Sequence, residues 1–546
     1  MTSKSSREEA SIPTQILKEG ERSSYIRTHS IHTVAIELTS NEEFFIATIL
    51  DVIDHLQRGK IVDYEPQSVE VRIAGGWVRD KLLGLTNYDV DIAIDSLSGV
   101  NFAKIIQNYL KEIHPEEVHK VGVIAANPNQ SKHLETATMI VNGIECDFCN
   151  LRAEEGYTAS SRIPNARFGS PLEDAHRRDF TVNSLFFNLR TKLVEDWTGR
   201  GLADLLENRR LVTPMDPFIT FLDDPLRALR AIRFSIRFGF SLDEKLRQAI
   251  TSKKIHNALS VKVSRERIGK ELEGCLSGKG ANAVKALKLI GELDMSDCVF
   301  SFPSERSVDV ELIGKAENAE RMLDAWRISS LYMDHVQVIK TAYKFDSRLE
   351  TLLDSRLLTI SAYVLPFRKL TYYDRKLREV SVVEFMIRES IKFKNKDVRE
   401  VVILMENVDI FCELFKQGEL RREDTGMLLR KTKGLWVTCL FLAGILEQSI
   451  KKAQLIYKRI ADMNLDLFWK NRPLLDGRAL GQTLGLPKGP IIGIFLEEQV
   501  RWTLLNPTGT KEESLENLQN FQKHFESKRQ LEGGSRKEQL KRAHKE

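Results

Sequence analysis

The spacing of hydrophobic and polar residues changes near residue 200 of the chain. Before that point, short stretches alternate between apolar and polar positions, and this alternation predicts β-strands. The predicted strands are Val69–Ile73, Tyr88–Ile94, His119–Ala125, Thr136–Val141 and Ile144–Phe148. Two other stretches, Asn41–Leu56 and Phe102–Leu110, carry apolar residues at helical spacing. Beyond residue 200 the patterns are helical, so we expect an α/β unit followed by helices.

Composition limits the class of protein but does not identify it. At 546 residues the chain is too long for one ordinary core, so we expect two to four domains. The hydrophobic fraction of 42% and the charged fraction of 29% are typical of globular proteins, and no apolar run is long enough to span a bilayer. The net charge of +4 means that any nucleic-acid surface must come from local clustering of basic residues.

The stretch from Arg72 to Asp95 carries the first candidate chemistry. A pair of glycines, Gly75 and Gly76, separates a predicted strand from a short helix, and such a turn exposes backbone N–H groups suited to phosphates. Asp89 and Asp91 follow on the next predicted strand, where residues two apart share a face. Adjacent carboxylates repel each other unless a cation lies between them, and Mg²⁺ prefers oxygen ligands. Together these features indicate metal-assisted nucleotidyl transfer, although an Asp pair alone is also typical of a solvated strand end.

A second segment, Arg177–Ser184, is rich in groups that recognise nucleotides. Arg178 can bind a triphosphate with its planar fork of donors. Asp179 and Asn183 are four residues apart and would share one face of a helix, where they can accept from and donate to a ribose hydroxyl. The alternative interpretation is a helix start that is capped by Asp179.

A third segment, Leu222–Phe234, predicts a helix with basic residues at every third position. Asp224 precedes Pro225 and would cap this helix. A carboxylate can accept from the amino group of cytosine or adenine, and an arginine can donate to the neighbouring ring acceptor. Asp224 and Arg227 therefore have groups that could match C and A and mismatch guanine and uracil, although three arginines on one helix face are usually just solvated. Arg230 and Arg233 would support this pair or reach phosphate.

These motifs resemble one known family. The stretch GG-x-VRD followed by DVDIAID, then RRDxxxNS, then DDxxRxxRxxRF, resembles the class II CCA-adding tRNA nucleotidyltransferases and the related bacterial poly(A) polymerases, with fungal or other eukaryotic members closest in spacing. Ser184 replaces the usual Ala, and Asp223 replaces the usual Glu. The segment Val263–Leu272 resembles a further motif of the family, which we expect to brace the helix with the three arginines.

The resemblance implies specific roles for the candidate residues. It implies that Asp89 and Asp91 hold Mg²⁺, with Asp147 as a candidate third catalytic carboxylate, although a strand-edge Asp is nearly as good an interpretation of Asp147. It also implies a flexible element at Glu154–Pro171 that helps the switch from C to A addition. The implied nucleotide-binding residues are Gly75, Gly76, Arg79, Arg178, Asp179, Asn183, Asp224, Arg227, Arg230 and Arg233.

The expected fold class is α+β, with a nucleotidyltransferase-type α/β head that contains a small mixed sheet, followed by all-α neck, body and tail domains. We place a disordered extension at residues 1–40, the head at 41–200 and the neck at 201–300. The body is placed at 301–460, a tRNA-binding tail at 461–525 and a basic disordered end at 526–546. In the tail, Lys488 beside a Gly-rich turn could hold an RNA phosphate, or the turn could simply join two helices.

The hypothesis from the sequence is template-independent addition of CCA to the 3′ end of tRNA from CTP and ATP, with release of pyrophosphate, by a monomer without a membrane partner. Three alternatives remain open: a partial enzyme that adds only CC or only A, a poly(A)-type polymerase, and a non-catalytic RNA-binding protein on the same scaffold. We expect the cytoplasm and nucleus as compartments, with mitochondria also open, although the N-terminal region is richer in acidic residues than a transit peptide.

Overall fold

The computed structural model describes residues 36–61, 64–115, 119–124, 135–153, 168–303, 316–342, 347–374 and 376–526. The chain divides into two compact units. Unit 1 comprises Met1–Asn282 and Leu293–Cys298, and unit 2 comprises Ala283–Glu292 and Val299–Glu546. The candidate catalytic and nucleotide-binding residues named above belong to unit 1, whereas Lys488 belongs to unit 2. No helix among the described residues is long and apolar enough to cross a membrane.

Unit 1 contains a seven-stranded mixed sheet. Its strands are β1 (Val71–Ala74), β2 (Val90–Ile94), β3 (Gly122–Ile124), β4 (Thr136–Val141), β5 (Ile144–Asn150), β6 (Leu185–Asn188) and β7 (Leu193–Asp196). Their spatial order is β3-β4-β5-β2-β1-β6-β7. Only the central β2–β5 pair is parallel, and the other neighbouring pairs are antiparallel. The predicted small mixed sheet is therefore confirmed.

The helices of unit 1 both support the sheet and form the helical part that follows it. They are α1 (Ser40–Gln57), α2 (Gly76–Leu82), α3 (Gly99–Ile113), α4 (Pro171–His176), α5 (Gly201–Leu206), α6 (Pro217–Asp223), α7 (Leu226–Phe238), α8 (Glu244–Ile250), α9 (Lys253–Lys262) and α10 (Arg265–Leu276). Helix α3 packs on β4 and β5, and α1 packs on α3. On the opposite side of the sheet lies a buried cluster that includes Ala74, Ala93, Ala175, Phe186 and Trp197.

Unit 2 is mainly helical. Its described helices of six or more residues include Ala283–Glu292, Ala316–Ala342, Ser347–Leu352, Ser355–Val364, Asn395–Lys416, Arg422–Thr432, Trp436–Leu446, Ile450–Asp462, Gly477–Leu484 and Pro490–Leu505. Helix Trp436–Leu446 is buried along almost its whole length and contacts Asn395–Lys416 and Ile450–Asp462. This helix forms the centre of the unit.

The prediction of purely helical domains after residue 200 is wrong in two places. Arg210–Leu211 pairs in parallel with Ser241–Leu242, and Thr371–Tyr373 pairs with Glu379–Ser381 in a hairpin. Strands of two or three residues are too short to show an alternating pattern, so their sequence does not distinguish them from loops.

The apolar spacing of Leu259–Leu276 predicts one amphipathic helix, and this prediction is wrong, because the segment is divided between α9 and α10. The backbone is extended at Val263 and Ser264, and the Ser264 hydroxyl accepts from the Arg267 N–H at 3.4 Å. A serine that bonds to the backbone in this way competes with a continuous helix. By contrast, the strand at Thr136–Val141 has the predicted bounds, and α1 extends one residue beyond Asn41–Leu56 at each end.

Some of the predictions lie on residues outside the described part of the chain. These are residues 1–35 of the N-terminal extension, residues 154–167 of the proposed flexible element, and residues 527–546 of the basic end.

Candidate active site

The turn between β1 and α2 requires glycine at its first position. Gly75 has a φ of +66°, in the left-handed region that side chains disfavour. A Cβ atom on Gly75 would lie 2.8 Å from Nη1 of Arg178, which is closer than side-chain atoms tolerate. The N–H of Gly75 donates to the carbonyl of Leu185 at 2.9 Å, so this amide is not available to a phosphate. Gly75 therefore leaves room for the Arg178 side chain, and Gly76 is the first residue of α2.

The register of the central parallel strands brings two of the predicted carboxylates together. Asp91 on β2 lies directly opposite Asp147 on β5. The strand containing Asp91 begins at Val90, so the prediction that Asp89 lies within it is wrong. The N–H of Asp89 donates to Oδ1 of Asn87 at 3.0 Å, and such a local bond competes with strand pairing. Asp89 is exposed just before the strand, whereas Asp91 and Asp147 are half-buried.

Burial and two neighbouring carboxylates disfavour the ionised form of Asp91. Burial, together with the charges of Asp89 and Asp147, raises the pKa of Asp91 to about 6, although Arg178 opposes the increase. A cation bound here would relieve that repulsion. Among the described residues, no three His, Cys, Asp or Glu side chains are grouped closely enough to hold a metal ion. The carboxylates of Asp91 and Asp147, on facing strand positions, are oxygen ligands of the kind that divalent cations accept.

A hydroxyl from the neighbouring strand orients the third carboxylate. Thr138 on β4 lies opposite Asp147, and its Oγ1 donates to Oδ1 of Asp147 at 2.5 Å. This contact leaves the other oxygen of Asp147 for another partner. Thr138 was not among the predicted site residues, because a threonine in an alternating strand has no distinguishing signal.

Arg178 is held in place by a buried carboxylate that the sequence analysis did not select. Asp174, which is 1% exposed, accepts from Nε and Nη2 of Arg178 at 2.9 and 2.8 Å. It also accepts from Nε of Arg177 at 2.8 Å. Burial alone would raise the pKa of Asp174, but Arg178 and Arg177 outweigh it and lower this pKa. The Arg178 guanidinium also lies 4.9 Å from the centre of the Phe186 ring, so hydrogen bonds and a ring contact together fix its position.

Arg79, which was predicted to bind the nucleotide, is buried among side chains of unit 1. Arg79 is 3% exposed, and its guanidinium donates to Asp80 at 2.8 Å and to the side-chain oxygen of Asn183. The guanidinium also lies 4.6 Å from the centre of the Phe238 ring. These contacts join the first motif to the second motif and to helix α7, which favours a bracing role for Arg79 over direct contact with phosphate.

Asp179 and Asn183 lie together, but not on an α-helix as expected. The segment Thr181–Asn183 forms a single 3₁₀ turn, and Asp179 Oδ1 accepts from the Phe180 N–H at 2.9 Å just before it. Asn183 Nδ2 donates to the same oxygen at 2.9 Å, and Arg230 Nε donates to Oδ2 at 2.8 Å. The pair is nearly buried and connects the sheet to helix α7.

Helix α7 carries the arginines of the third motif, and each of them has a carboxylate or carbonyl partner. Arg227 donates to the backbone oxygens of Thr220 at 3.3 Å and Arg177 at 2.9 Å. Arg233 Nε donates to Glu271 on α10 at 2.6 Å. One oxygen of Glu271 also lies 3.7 Å from Arg230. These contacts agree with the expectation that the segment Val263–Leu272 braces the arginine helix.

Asp224 has two partners of its own. Its Oδ1 accepts from the Leu226 N–H at 3.2 Å, but α7 begins at Leu226, so Pro225 is the cap residue and the predicted cap at Asp224 is wrong by one position. Its Oδ2 accepts from Nη2 of Arg267 on α10 at 2.9 Å. The predicted base-reading residues Asp224 and Arg227 are therefore neighbours that are positioned through different contacts.

Known proteins resemble this chain over most of its length. A family model described as "Poly A polymerase head domain" matches residues 71–212. The mitochondrial CCA tRNA nucleotidyltransferase of Saccharomyces cerevisiae is 34% identical over 495 residues, which cover 83% of this chain and 88% of the yeast protein. The tRNA nucleotidyltransferase cca1 of Schizosaccharomyces pombe is 34% identical over 483 residues, covering 83% and 92%.

This chain belongs to the CCA tRNA nucleotidyltransferase family.

Solved structures agree with this assignment at the level of the fold. The Thermotoga maritima CCA-adding enzyme, solved in complex with tRNA, covers 90% of this chain and 99% of its own, with 20% identity and a TM-score of 0.57. A CCA-adding enzyme solved in complex with CTP covers 91% and 96%, with 20% identity and a TM-score of 0.58. The expected α+β fold class with a mixed-sheet head is confirmed, and the remainder, which was expected to be all-α, is mainly helical.

Sequence reasoning missed several residues that organise the site of this nucleotidyltransferase. They are Asp80, Asn87, Thr138, Asp174, Arg237 and Arg267, each of which bonds to a predicted site residue or to that residue's partner. Asp80 lies inside the GG-x-VRD motif and Arg237 follows the arginine repeat, so both had a signal. Arg267 lies inside the quoted Val263–Leu272 motif, so it also had a signal, and the other three residues lie outside the quoted motifs.

Proposed function

We propose that this protein adds C, C and A to the 3′ end of tRNA without a nucleic-acid template, using CTP and ATP and releasing pyrophosphate. The observation that carries the proposal is the strand register that sets Asp91 opposite Asp147, with Asp89 one residue before the strand and Arg178 near enough to influence the pKa of Asp91. A carboxylate cluster beside a fixed guanidinium is suited to a metal-bound triphosphate.

The metal held by Asp89 and Asp91 would be Mg²⁺, with Asp147 beside it. When bound, this metal supplies charge neutralisation on the triphosphate and activation of the RNA hydroxyl. The 3′ hydroxyl of the tRNA would lose its proton to water as its oxygen forms a bond to the α-phosphorus, and the bond from that phosphorus to the bridging oxygen of pyrophosphate would break. Arg178 would bind the departing phosphates, because Asp174 holds its guanidinium in one orientation.

Asp179 and Asn183 would recognise the ribose. In the structure their side chains bond to each other, and Arg230 holds the second oxygen of Asp179. Each carboxylate oxygen can accept more than one hydrogen bond, so a ribose hydroxyl can join this group without breaking it.

Asp224 and Arg227 would select the base. Cytosine and adenine both present an amino donor next to a ring acceptor, which match a carboxylate and a guanidinium. Uracil and guanine present a carbonyl and a ring N–H instead, and a buried unpaired polar group costs about 1–3 kcal/mol. Two such mismatches are enough for useful discrimination.

The helical remainder would bind the acceptor end of tRNA through backbone contacts and shape. This part of the proposal includes the domain limits at residues 200, 300 and 460 and the role of Lys488, which is exposed just before the helix Pro490–Leu505. The protein would act as a monomer. Two relatives with 34% identity carry the word mitochondrial in their names, so mitochondria join the cytoplasm and nucleus as proposed compartments.

Extension of three purified tRNAs, ending in the discriminator base, in C or in CC, tests the proposal. Each is incubated with Mg²⁺ and CTP, ATP or both, and the product lengths are read at single-nucleotide resolution. The expected result is that all three tRNAs stop at CCA. Products that stop at CC, or extension of only the CC-ended tRNA, would indicate a partial enzyme. Long runs of A would indicate a poly(A)-type polymerase, and no extension would refute the catalytic proposal.

A further inference from the structure

Helix α10 contacts one of the two candidate base-selecting residues, Asp224, at its side-chain carboxylate. It packs along α7, and Nη2 of Arg267 lies 2.9 Å from Oδ2 of Asp224. The other oxygen, Oδ1, accepts from the Leu226 N–H at 3.2 Å. With one donor on each oxygen the plane of the carboxylate is fixed, and each oxygen still has a lone pair for a further donor.

The partner residue Arg227 does not provide this orientation. Its guanidinium donates to the carbonyls of Thr220 and Arg177 and lies 3.3 Å from Asp223 Oδ2. Between the two predicted base-reading residues, the bond in the described structure is a backbone one, from the Arg227 N–H to the Asp224 carbonyl at 3.0 Å. The direction of the Asp224 carboxylate therefore depends on α10.

Two residues of α10 contact α7 and the turn that precedes it. Arg267 and Glu271 are four residues apart and lie on one face of the helix. Glu271 binds Arg233 at 2.6 Å and lies 3.7 Å from Arg230, so it holds the arginine side of α7. Arg267 contacts the carboxylate that would meet the base.

We propose that Arg267 is a positioning residue for nucleobase selectivity, a role that rests on the proposed function and deepens it. By holding the Asp224 carboxylate in one orientation, Arg267 presents a lone pair to the amino group of cytosine or adenine. The same orientation sets an anion against the carbonyl of uracil or guanine, so those bases are rejected. Without Arg267 the carboxylate can turn away, which loses the attraction for the correct base and also the repulsion of the wrong base.

The selectivity of Arg267→Gln is the test. Steady-state kcat and KM are measured for CTP and UTP on a tRNA that ends in the discriminator base, and for ATP and GTP on a tRNA that ends in CC. The CTP-to-UTP ratio of kcat/KM should fall about tenfold, mainly through a higher KM for CTP, because a charge-assisted hydrogen bond is worth that order of discrimination. Arg267→Lys should restore part of the ratio, since it returns a donor with positive charge.

A matched control comes from the same helix. Lys270 is exposed on α10, so Lys270→Gln removes the same charge without touching Asp224, and its ratios should equal those of the wild type. Thermal unfolding of all three variants shows whether any of them loses the fold.

An unchanged CTP-to-UTP ratio in Arg267→Gln would overturn the proposal, as would an equal slowing of all four nucleotides, which is the mark of a merely structural residue. The same loss in Lys270→Gln would overturn it as well, because bulk charge would then explain the effect. If the proposed function itself is wrong, the wild type will fail to extend tRNA or to prefer CTP over UTP, which distinguishes that outcome from a failure of the role of Arg267.

Discussion

Replacement of Asp174 by Asn tests how strongly its buried ion pairs with Arg177 and Arg178 stabilise the site. The side chain keeps its size but loses its charge, while Arg177 and Arg178 remain beside it as donors. Removing one partner of a buried ion pair typically costs about 3–5 kcal/mol. Because the two arginine side chains keep 25% and 20% of their surface exposed, water relieves part of this cost, and we expect about 3 kcal/mol.

A matched substitution in the same unit gives the control. Asp54 pairs with Arg190 at 2.8 Å, but their side chains are 37% and 50% exposed. Asp54→Asn should therefore cost at most about 1 kcal/mol, as exposed pairs do. Urea unfolding followed by hydrogen exchange in peptides from residues 168–189 reads the stability of unit 1 separately from unit 2. In activity assays, Asp174→Asn should also raise the KM for CTP and ATP, because Arg178 loses its orientation.

The pH dependence of the Asp174 effect has a definite sign. The pKa of Asp174 in the folded protein lies below its ordinary value, so its stabilising effect is fully present above that ordinary value. The effect is lost as the pH falls through the folded-state pKa. The difference in stability between the wild type and Asp174→Asn should thus be constant near neutral pH and shrink below about pH 4. If Asp174→Asn loses no more stability than Asp54→Asn, burial does not decide the strength of this ion pair and the reasoning is wrong.

Three further substitutions test the geometry of the site. Asp91→Ala should reduce nucleotide addition by about a thousandfold or more while leaving tRNA binding in a filter assay unchanged, because its carboxylate serves the metal and not the RNA. Gly75→Ala should raise the KM for CTP, since its new Cβ displaces the guanidinium behind the turn; Gly84→Ala, at φ +68° with open space around the Cβ, is the control. Both substitutions should lower the free energy of unfolding by about 1–2 kcal/mol, because alanine is strained at positive φ. Thr138→Val should raise the Mg²⁺ concentration needed for half-maximal activity, and Thr138→Ser should restore it by returning the hydroxyl.

Each of these expectations can fail separately. Weaker tRNA binding by Asp91→Ala would mean that this carboxylate also supports the RNA interface. An equal KM change in Gly75→Ala and Gly84→Ala would show that backbone strain, and not displacement of Arg178, is responsible. A wild-type Mg²⁺ requirement in Thr138→Val would remove Asp147 from the metal site.

The amino-acid sequence alone determined the order of motifs and the local elements that carry them. Alternating residues predicted the strand Thr136–Val141 at its observed bounds, and the turn at Gly75 was predicted from the glycine pair. These features depend on residues near each other in the chain, where periodicity and backbone freedom decide the outcome. For the same reason the family resemblance was visible from short motifs.

Contacts between distant residues were decided by the tertiary structure. The pairing of Asp91 with Asp147 depends on strand register, which cannot be obtained from either strand alone. Arg79 looked like a phosphate ligand in its motif, yet folding buries it against Asp80 and Asn183, where a guanidinium without partners would be costly. The bond between Arg267 and Asp224 joins residues 43 positions apart, and it exists only because α10 packs on α7. Local patterns therefore located the chemistry, and long-range packing determined which side chains remain free to perform it.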